Sequence, residues 1–200
     1  MVSAIVLAAG ESKRMDSANK LLMKYGDKTL VEQVVDNVLA SAAAEVIVAL
    51  GHQADKIRET LKDRSVRFAV NQDFKLGMTT SIHTAVKAAS TEADGYMICL
   101  SDQPFILSQE FTRLILAFEV ALAKPGSDIV VPVYQGQRGN PVILSSKFRN
   151  DILAHKGLKG CKGIIKENPN AVCEVEMTTQ NILIDIDTVD DYATLIEQNG

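Results

Sequence analysis

The residues from Leu7 to Lys20 read LAAGESKRMDSANK. Ala8, Ala9 and Gly10 are small enough for a ligand to approach the backbone, and successive N–H groups in such a turn can cradle phosphate oxygens. Lys13, Arg14 and Lys20 follow, a local excess of cations suited to a triphosphate and a leaving pyrophosphate. A flexible surface loop with solvated charges is the alternative. The spacing is neither GxGxxG nor GxxxxGK[ST], which disfavours a dinucleotide fingerprint and a P-loop.

Four further segments carry chemistry-bearing types. In SDQP (101–104), Asp102 precedes a proline that stops a strand, and an oxygen ligand there suits a hard cation such as Mg2+; a turn residue capping the next helix is the competing reading. In IDIDT (184–188), alternation in a strand would send Asp185 and Asp187 to one face, where a metal would relieve their repulsion. The alternative is that Asp187 and Thr188 only organise a helix N-terminus. In NQDFKLGMTTS (71–81), Gly77 permits close approach and Ser81 offers a hydroxyl, or the stretch is a hinge and a cap. GQRGNPV (136–142) presents Arg138 between glycines, either to an anion or to solvent in a hairpin turn. His52, His83 and His155 are scattered without metal spacing, and no Ser/His/Asp or Cys/His set suggests a covalent nucleophile.

These segments need a scaffold that places them together, and the hydrophobic pattern supplies one. Apolar runs at 2–8, 45–50, 66–70, 95–100 and 127–133 read as buried strands. Helical periodicity falls at 30–39, around 54–61, at 82–89 and from Ser108 onward. Such alternation predicts an α/β fold, a Rossmann-like three-layer domain with a mostly parallel sheet. Ligands of open α/β sheets bind beyond the carboxyl ends of the strands, where Gly10 and Asp102 fall. After Tyr134 the pattern is less regular: PVILS, a short helix from Ser146, a Gly/Lys loop at 158–165, VCEVEM, ILIDI and a last helix capped by Thr188 with Asp191. The 200 residues are expected to form one domain, with 1–133 as a nucleotide-binding half and 134–200 as an acceptor-binding, closing half.

Composition bounds the rest. Hydrophobic residues at 46 % and charged residues at 23 % match a soluble chain with a sizeable core, and a formal charge of −4 excludes a general nucleic-acid coat. Cys99, Cys161 and Cys173 form no CxxC pair and are expected as reduced thiols. No apolar stretch approaches the roughly 18 residues of a membrane span, and a cytoplasmic location is expected.

The order L-A-A-G-x-S-x-R-M with a following lysine, Gly77-Met78 with Ser81, Asp102-Gln103-Pro104, Gly136-x-Arg138-Gly139-x-Pro141 and Asp185-Ile186-Asp187-Thr188 resembles the MobA-like and MocA-like nucleotidyltransferases, over nearly the whole chain. Those enzymes act on the molybdenum cofactor and are relatives of the sugar-phosphate nucleotidyltransferases. The resemblance implies the nucleotide-diphospho-sugar transferase type of fold and transfer of a nucleotide to Mo-molybdopterin with release of pyrophosphate. LAAG and DQP lean toward the cytidylyltransferase branch and hence CTP. On this resemblance Arg14, Lys20 and Asp102 are catalytic. Leu7, Ala8, Ala9, Gly10, Lys13, Asn71, Gly77 and Ser81 join them in binding nucleotide, and Asp102 and Asp187 hold Mg2+. Arg138, Gly139, Asn140 and Pro141 meet the acceptor, with transient contact to a molybdoenzyme as a further implication. GTP, a sugar or polyol phosphate acceptor, or a non-catalytic cofactor-binding accessory role are the alternatives.

The chain departs from the family pattern in three places. Asp16 stands for a glycine, with one residue more before Lys20. Asn140 stands where many members have histidine. At 158–165 the usual G-D-x-G-A-R is replaced, with Cys161 for the acid and Ile165 for the arginine. Lys159 and Lys162 compensate that loss in charge but not in bidentate geometry.

Overall fold

The computed structural model describes residues 1–12, 19–188 and 190–193. VSAIVLA forms β1 (Val2–Ala8). A short antiparallel ribbon of β2 (Lys24–Tyr25) and β3 (Lys28–Thr29), not foreseen from the sequence, turns at Gly26 with φ +59. It leads into α1 (Leu30–Leu39), whose first turn is closed by a capping box. Glu32 N–H donates to Thr29 Oγ1 at 3.3 Å, and Thr29 N–H donates to Glu32 Oε2 at 2.7 Å. There follow β4 (Glu45–Leu50), α2 (Ala54–Thr60), β5 (Arg67–Val70), α3 (Met78–Ala88), β6 (Gly95–Leu100) and α4 (Ser108–Leu122). The chain continues through β7 (Ile129–Tyr134), β8 (Gln137–Arg138), β9 (Val142–Ser145), α5 (Arg149–Ala154), α6 (Lys162–Glu167) and β10 (Val172–Glu176).

The sheet order is β10-β7-β9-β6-β1-β4-β5, with β8 paired to β7. β5, β4, β1 and β6 run parallel, and β9 is inserted antiparallel between β6 and β7. β10 runs parallel to β7. Because side chains alternate along each strand, the sheet has two apolar faces. Val6, Val48 and Cys99 pack with α1, α2 and α4 on one side. Ile5, Ile47, Ile98 and Val131 pack with α3, α5 and α6 on the other. This is the mostly parallel, three-layer architecture the alternation calls for.

Register brings the strand ends together. Leu7 pairs with Leu100 across β1 and β6, and Ala8 with Leu50 across β1 and β4. Gly10, Gly51 and Asp102 therefore leave the sheet at neighbouring points of one edge.

Three sequence expectations need correcting. IDIDT is not a strand: residues 180–183 form a short 3-10 helix and 184–187 have no regular secondary structure, with only Ile184 extended. The backbone there bonds to loops instead. Ile186 N–H donates to the Asp102 carbonyl at 2.9 Å, and Asn140 N–H to the Ile182 carbonyl at 3.1 Å. The Gly/Lys segment is not all loop, since α6 begins at Lys162 with the buried Cys161 as its N-cap residue. Finally, α3 opens at Met78, one turn earlier than the apolar periodicity indicates, because its first turn is built from Thr79, Thr80 and Ser81.

The turn at 180–183 is fastened to α4 by one buried carboxylate. Glu110 accepts hydrogen bonds from Leu107 N–H at 2.9 Å, Thr179 Oγ1 at 2.6 Å and Asn181 Nδ2 at 3.0 Å. Hydrogen bonds to a charged group are worth more than neutral ones. Glu110→Ala is expected to cost about 1.5–3 kcal/mol in urea unfolding, with a larger share of the loss in proteolytic protection of the 179–187 segment than of β1.

Candidate functional site

Beyond the ends of β1, β4 and β6 lies a cavity of about 450 Å³. Leu7, Ala9, Gly10, Lys20, Gly77, Ser81, Asp102 and Asp187 line it, all residues singled out from the sequence. Ala8 is buried at the end of β1 and is not among the lining residues. Asn71 also lies outside the lining. Its amide Nδ2 donates to Thr80 Oγ1 at 2.9 Å and Ser81 Oγ at 3.0 Å, so it braces the first turn of α3. Lys13 and Arg14 lie outside the described residues.

The centre of the cavity is a cation between two carboxylates. Lys20 Nζ donates to Asp102 Oδ2 and to Asp187 Oδ1, each at 2.8 Å. Burial opposes the Lys20 charge, but the two carboxylates more than offset it and hold its pKa above the ordinary lysine value. Local structure aims this side chain: Asn19 Oδ1 accepts from Leu21 N–H and caps the 3-10 turn Lys20–Leu22, while Lys20 N–H donates to Ser12 Oγ. Asp187 is held from behind by the cap expected at Thr188. Asp191 Oδ2 accepts from Asp187 N–H at 3.0 Å and Thr188 N–H at 2.8 Å, and Asp191 N–H donates to Thr188 Oγ1. The Thr188 hydroxyl hydrogen bond, joined by these backbone donors, keeps the Asp191 carboxyl below the usual range.

Asp185 is the third carboxylate of this cluster. Although Asp185 is exposed, partial desolvation, then the nearby Asp187 and Asp102 charges, push its carboxyl above the usual carboxylate range. The buried Oδ1 of Asp102 meets no hydrogen-bond partner among the described residues. An acceptor-only oxygen beside a second carboxylate fits a hard divalent cation completed by substrate phosphates and water. Among the described residues, no group of three or more His, Cys, Asp or Glu side chains is arranged to hold a metal ion.

The walls include residues that the sequence reading passed over. Phe74 and Lys75 line the cavity, as do Glu11 and Ser12. Gly51 makes room for Phe74: a Cβ there would stand 2.6 Å from Phe74 Cβ and 2.8 Å from Ala9 Cβ. Its position directly after the run 45–50 was the available signal. At Gly77 φ is +109, a conformation that favours glycine, and the turn passes against the backbone of Leu158. The Thr79 hydroxyl donates to the Gly157 carbonyl and accepts from Gly160 N–H, fastening the 157–160 segment to the start of α3.

On the far side of that seam is a second cavity of about 600 Å³, sharing Met78 and Leu100 with the first. Arg138, Gly139 and Asn140 line it together with the 158–166 segment; Pro141 does not. Arg138 lies on β8, after a tight turn through Gln135 and Gly136, and its Nε donates to Glu174 Oε1 at 2.7 Å. Gly139 is required for packing, because a Cβ there would collide with the Ile182 carbonyl. Burial pushes the Cys161 thiol up to about 12, so it is neutral at physiological pH. His52 lies against Phe74, while His155 fits between Gly157 and Gly163.

The MobA-like NTP transferase domain family matches residues 4–172. The chain belongs to this family. A nicotine blue oxidoreductase from Paenarthrobacter nicotinovorans is 26 % identical over 203 residues, covering 98 % of this chain and 96 % of that protein. The molybdenum cofactor cytidylyltransferase of Escherichia coli K12 is 23 % identical over 198 residues, with the same coverage of 98 % and 96 %. Among solved structures, Rv0371c from Mycobacterium tuberculosis H37Rv superposes with a TM-score of 0.85 at 26 % identity, covering 98 % of this chain and 97 % of that one. A complex of Rv0371c with manganese gives a TM-score of 0.80 at 25 % identity, covering 98 % of each chain. Family and fold together make the protein a nucleotidyltransferase-type enzyme.

The raised Asp185 pKa has a stability consequence. The folded state binds its proton at higher pH than the unfolded chain does, so stability falls as pH rises through that window. Asp185→Asn is expected to raise the melting temperature at neutral pH, and the gain should vanish near pH 3, roughly below the ordinary aspartate value. Thermal melts of both proteins across pH check this.

Proposed function

We propose that the protein transfers CMP from CTP to Mo-molybdopterin, releasing pyrophosphate, with Mg2+ as the divalent cation. The observation that carries this reading is the Lys20 ammonium held between Asp102 and Asp187 at the floor of the first cavity. CTP as donor rests on the LAAG and DQP pattern and on the likeness to the cytidylyltransferase; the acceptor rests on that likeness and on the adjoining second cavity.

In this reading the acceptor's phosphate oxygen attacks the α-phosphorus of CTP. A new P–O bond forms as the bond from the α-phosphorus to the bridging oxygen breaks, and that electron pair leaves with pyrophosphate. The acceptor brings its own anionic nucleophile, so no side chain needs to attack or take up a proton. A divalent cation held by Asp102 and Asp187 would draw charge from the phosphates. Lys20, released from one or both carboxylates, stabilises the negative charge that develops on the leaving group. Lys13 and Arg14 are proposed to assist it. Gly10 lets the backbone approach the phosphates, while Phe74, Gly77 and Ser81 form the side against which the base rests. The walls of the cavity keep the two substrates in line, and positioning contributes as much as charge.

Thermal shift with CTP, GTP, ATP and UTP, with and without Mg2+, tests the donor. At 100 times Kd, binding adds about 2.7 kcal/mol and raises the melting temperature by several degrees. A magnesium-dependent shift strongest with CTP supports the reading, and a GTP preference moves the protein to the guanylyl branch. Reduced nicotinamide dinucleotides belong in the same series, since one full-length relative carries an oxidoreductase name. In turnover assays with Mo-molybdopterin, Lys20→Met and Asp102→Asn are each expected to lower kcat by about 10²–10³. Wild-type rates in either variant would sink the assignment.

A further inference from the structure

The second cavity has a composition that selects among acceptors. Its floor is aliphatic: Ile82, Ile98, Val131, Val142 and Ile165 are all buried. Three lysines stand at its rim. Lys162 and Lys166 are four apart and lie on one side of α6, and Lys159 precedes them in the turn. All three are exposed, and among the described residues none of them makes an ion pair. Arg138 adds a fourth cation, already shared with Glu174. Among the described residues, no acidic side chain lines this cavity, and Asn140 is its one side-chain amide.

We infer that the second substrate is amphipathic: a flat, ring-sized body whose apolar face lies on the aliphatic floor and whose polar edge stays at the open rim, with a second anionic group, distinct from the reacting phosphate, held by Lys159, Lys162 and Lys166. The position of the reacting phosphate rests on the nucleotidyl-transfer reading. That phosphate must reach the first cavity, where Lys20 and Asp102 lie, whereas the three lysines line only the second. The ring body then spans the seam at Met78 and Leu100. A sugar or polyol phosphate is disfavoured by the same surfaces, because its hydroxyls would give up water for an aliphatic floor and a single amide. A cavity of about 600 Å³ accommodates a fused ring system. Leu158, 71 % exposed at the lip, extends the apolar surface to the entrance.

The test is a fluorescence titration of the full chain with 8-anilinonaphthalene-1-sulfonate, an apolar ring body carrying one anion, in saturating Mg-CTP. The uncharged N-phenyl-1-naphthylamine is the control. One saturable site is expected, at least roughly tenfold tighter for the sulfonate than for the uncharged ring. Lys162→Gln with Lys166→Gln should weaken sulfonate binding by roughly tenfold, and Leu158→Glu, an exposed change that the fold tolerates, should weaken it as well. Millimolar glycerol 3-phosphate should not displace the probe. The proposal is overturned by equal affinity for both probes, by affinity unchanged in the double lysine variant, or by displacement with glycerol 3-phosphate. The thermal shift of each variant with Mg-CTP is read separately. Absence of that shift in the wild-type protein refutes the nucleotidyl reading itself, whereas failure of the probe arms with the shift intact refutes only the acceptor class.

Discussion

A lysine ammonium held between two carboxylates governs the design of this protein. Asp102 ends a central strand, Asp187 belongs to a segment far along the chain, and Lys20 sits in a turn after the first strand. With Asp185 beside them, three like charges share a small volume, and such charges are costly to bring together without compensation. Lys20 supplies it here. The same arrangement leaves one acceptor oxygen of Asp102 without a partner, so the cluster is neutralised in part and not saturated. Much of the surrounding structure fixes these three residues: the Asn19 cap, the Asp102–Ile186 backbone bond, the Asp191 cap behind Asp187 and the Glu110 carboxylate beneath the 180–183 turn.

The central strands were legible because their apolar runs decide the structure by themselves. The runs 2–8, 45–50 and 95–100 form strands with those same ends, and α4 opens at Ser108 as the pattern indicates. The strand-end rule then located Gly10 and Asp102 at the mouth of the sheet. Legibility failed where tertiary contacts override local pattern. Alternation at 184–187 has the period of a strand, yet among the described residues no strand pairs with it; its N–H groups bond instead to Asn181, Asp102 and Asp191, and the preceding Ile182 carbonyl to the 139–140 turn. The glycines at 160 and 163 suggested a loop. In the fold Gly160 takes φ +63 against Met78 and Ile82, and Gly163 sits inside α6, where a Cβ would meet His155. The Lys20–Asp187 pair, 167 residues apart, has no local signature; the order of motifs put both residues at one site, in separate roles, but did not foresee the pair.

The two cavities are neighbours through α3. Its first turn lends Gly77, Met78 and Ser81 to the first cavity and Met78 and Ile82 to the second, while Thr79 fastens the acceptor-side segment to the same turn. Asn71 braces that turn from below through Thr80 and Ser81. A small displacement of α3 would therefore move both walls together.

Asp187 has one more consequence, which concerns time. A polypeptide leaves the ribosome N-terminus first, and domains begin to organise as they emerge. Among the described residues, every strand of the main sheet precedes Asp187 in the sequence. A nascent chain can thus assemble its layers and close around the first strand while Lys20 still has only one of its two carboxylate partners. The site is finished last, when the segment carrying Ile186 docks against the end of β6.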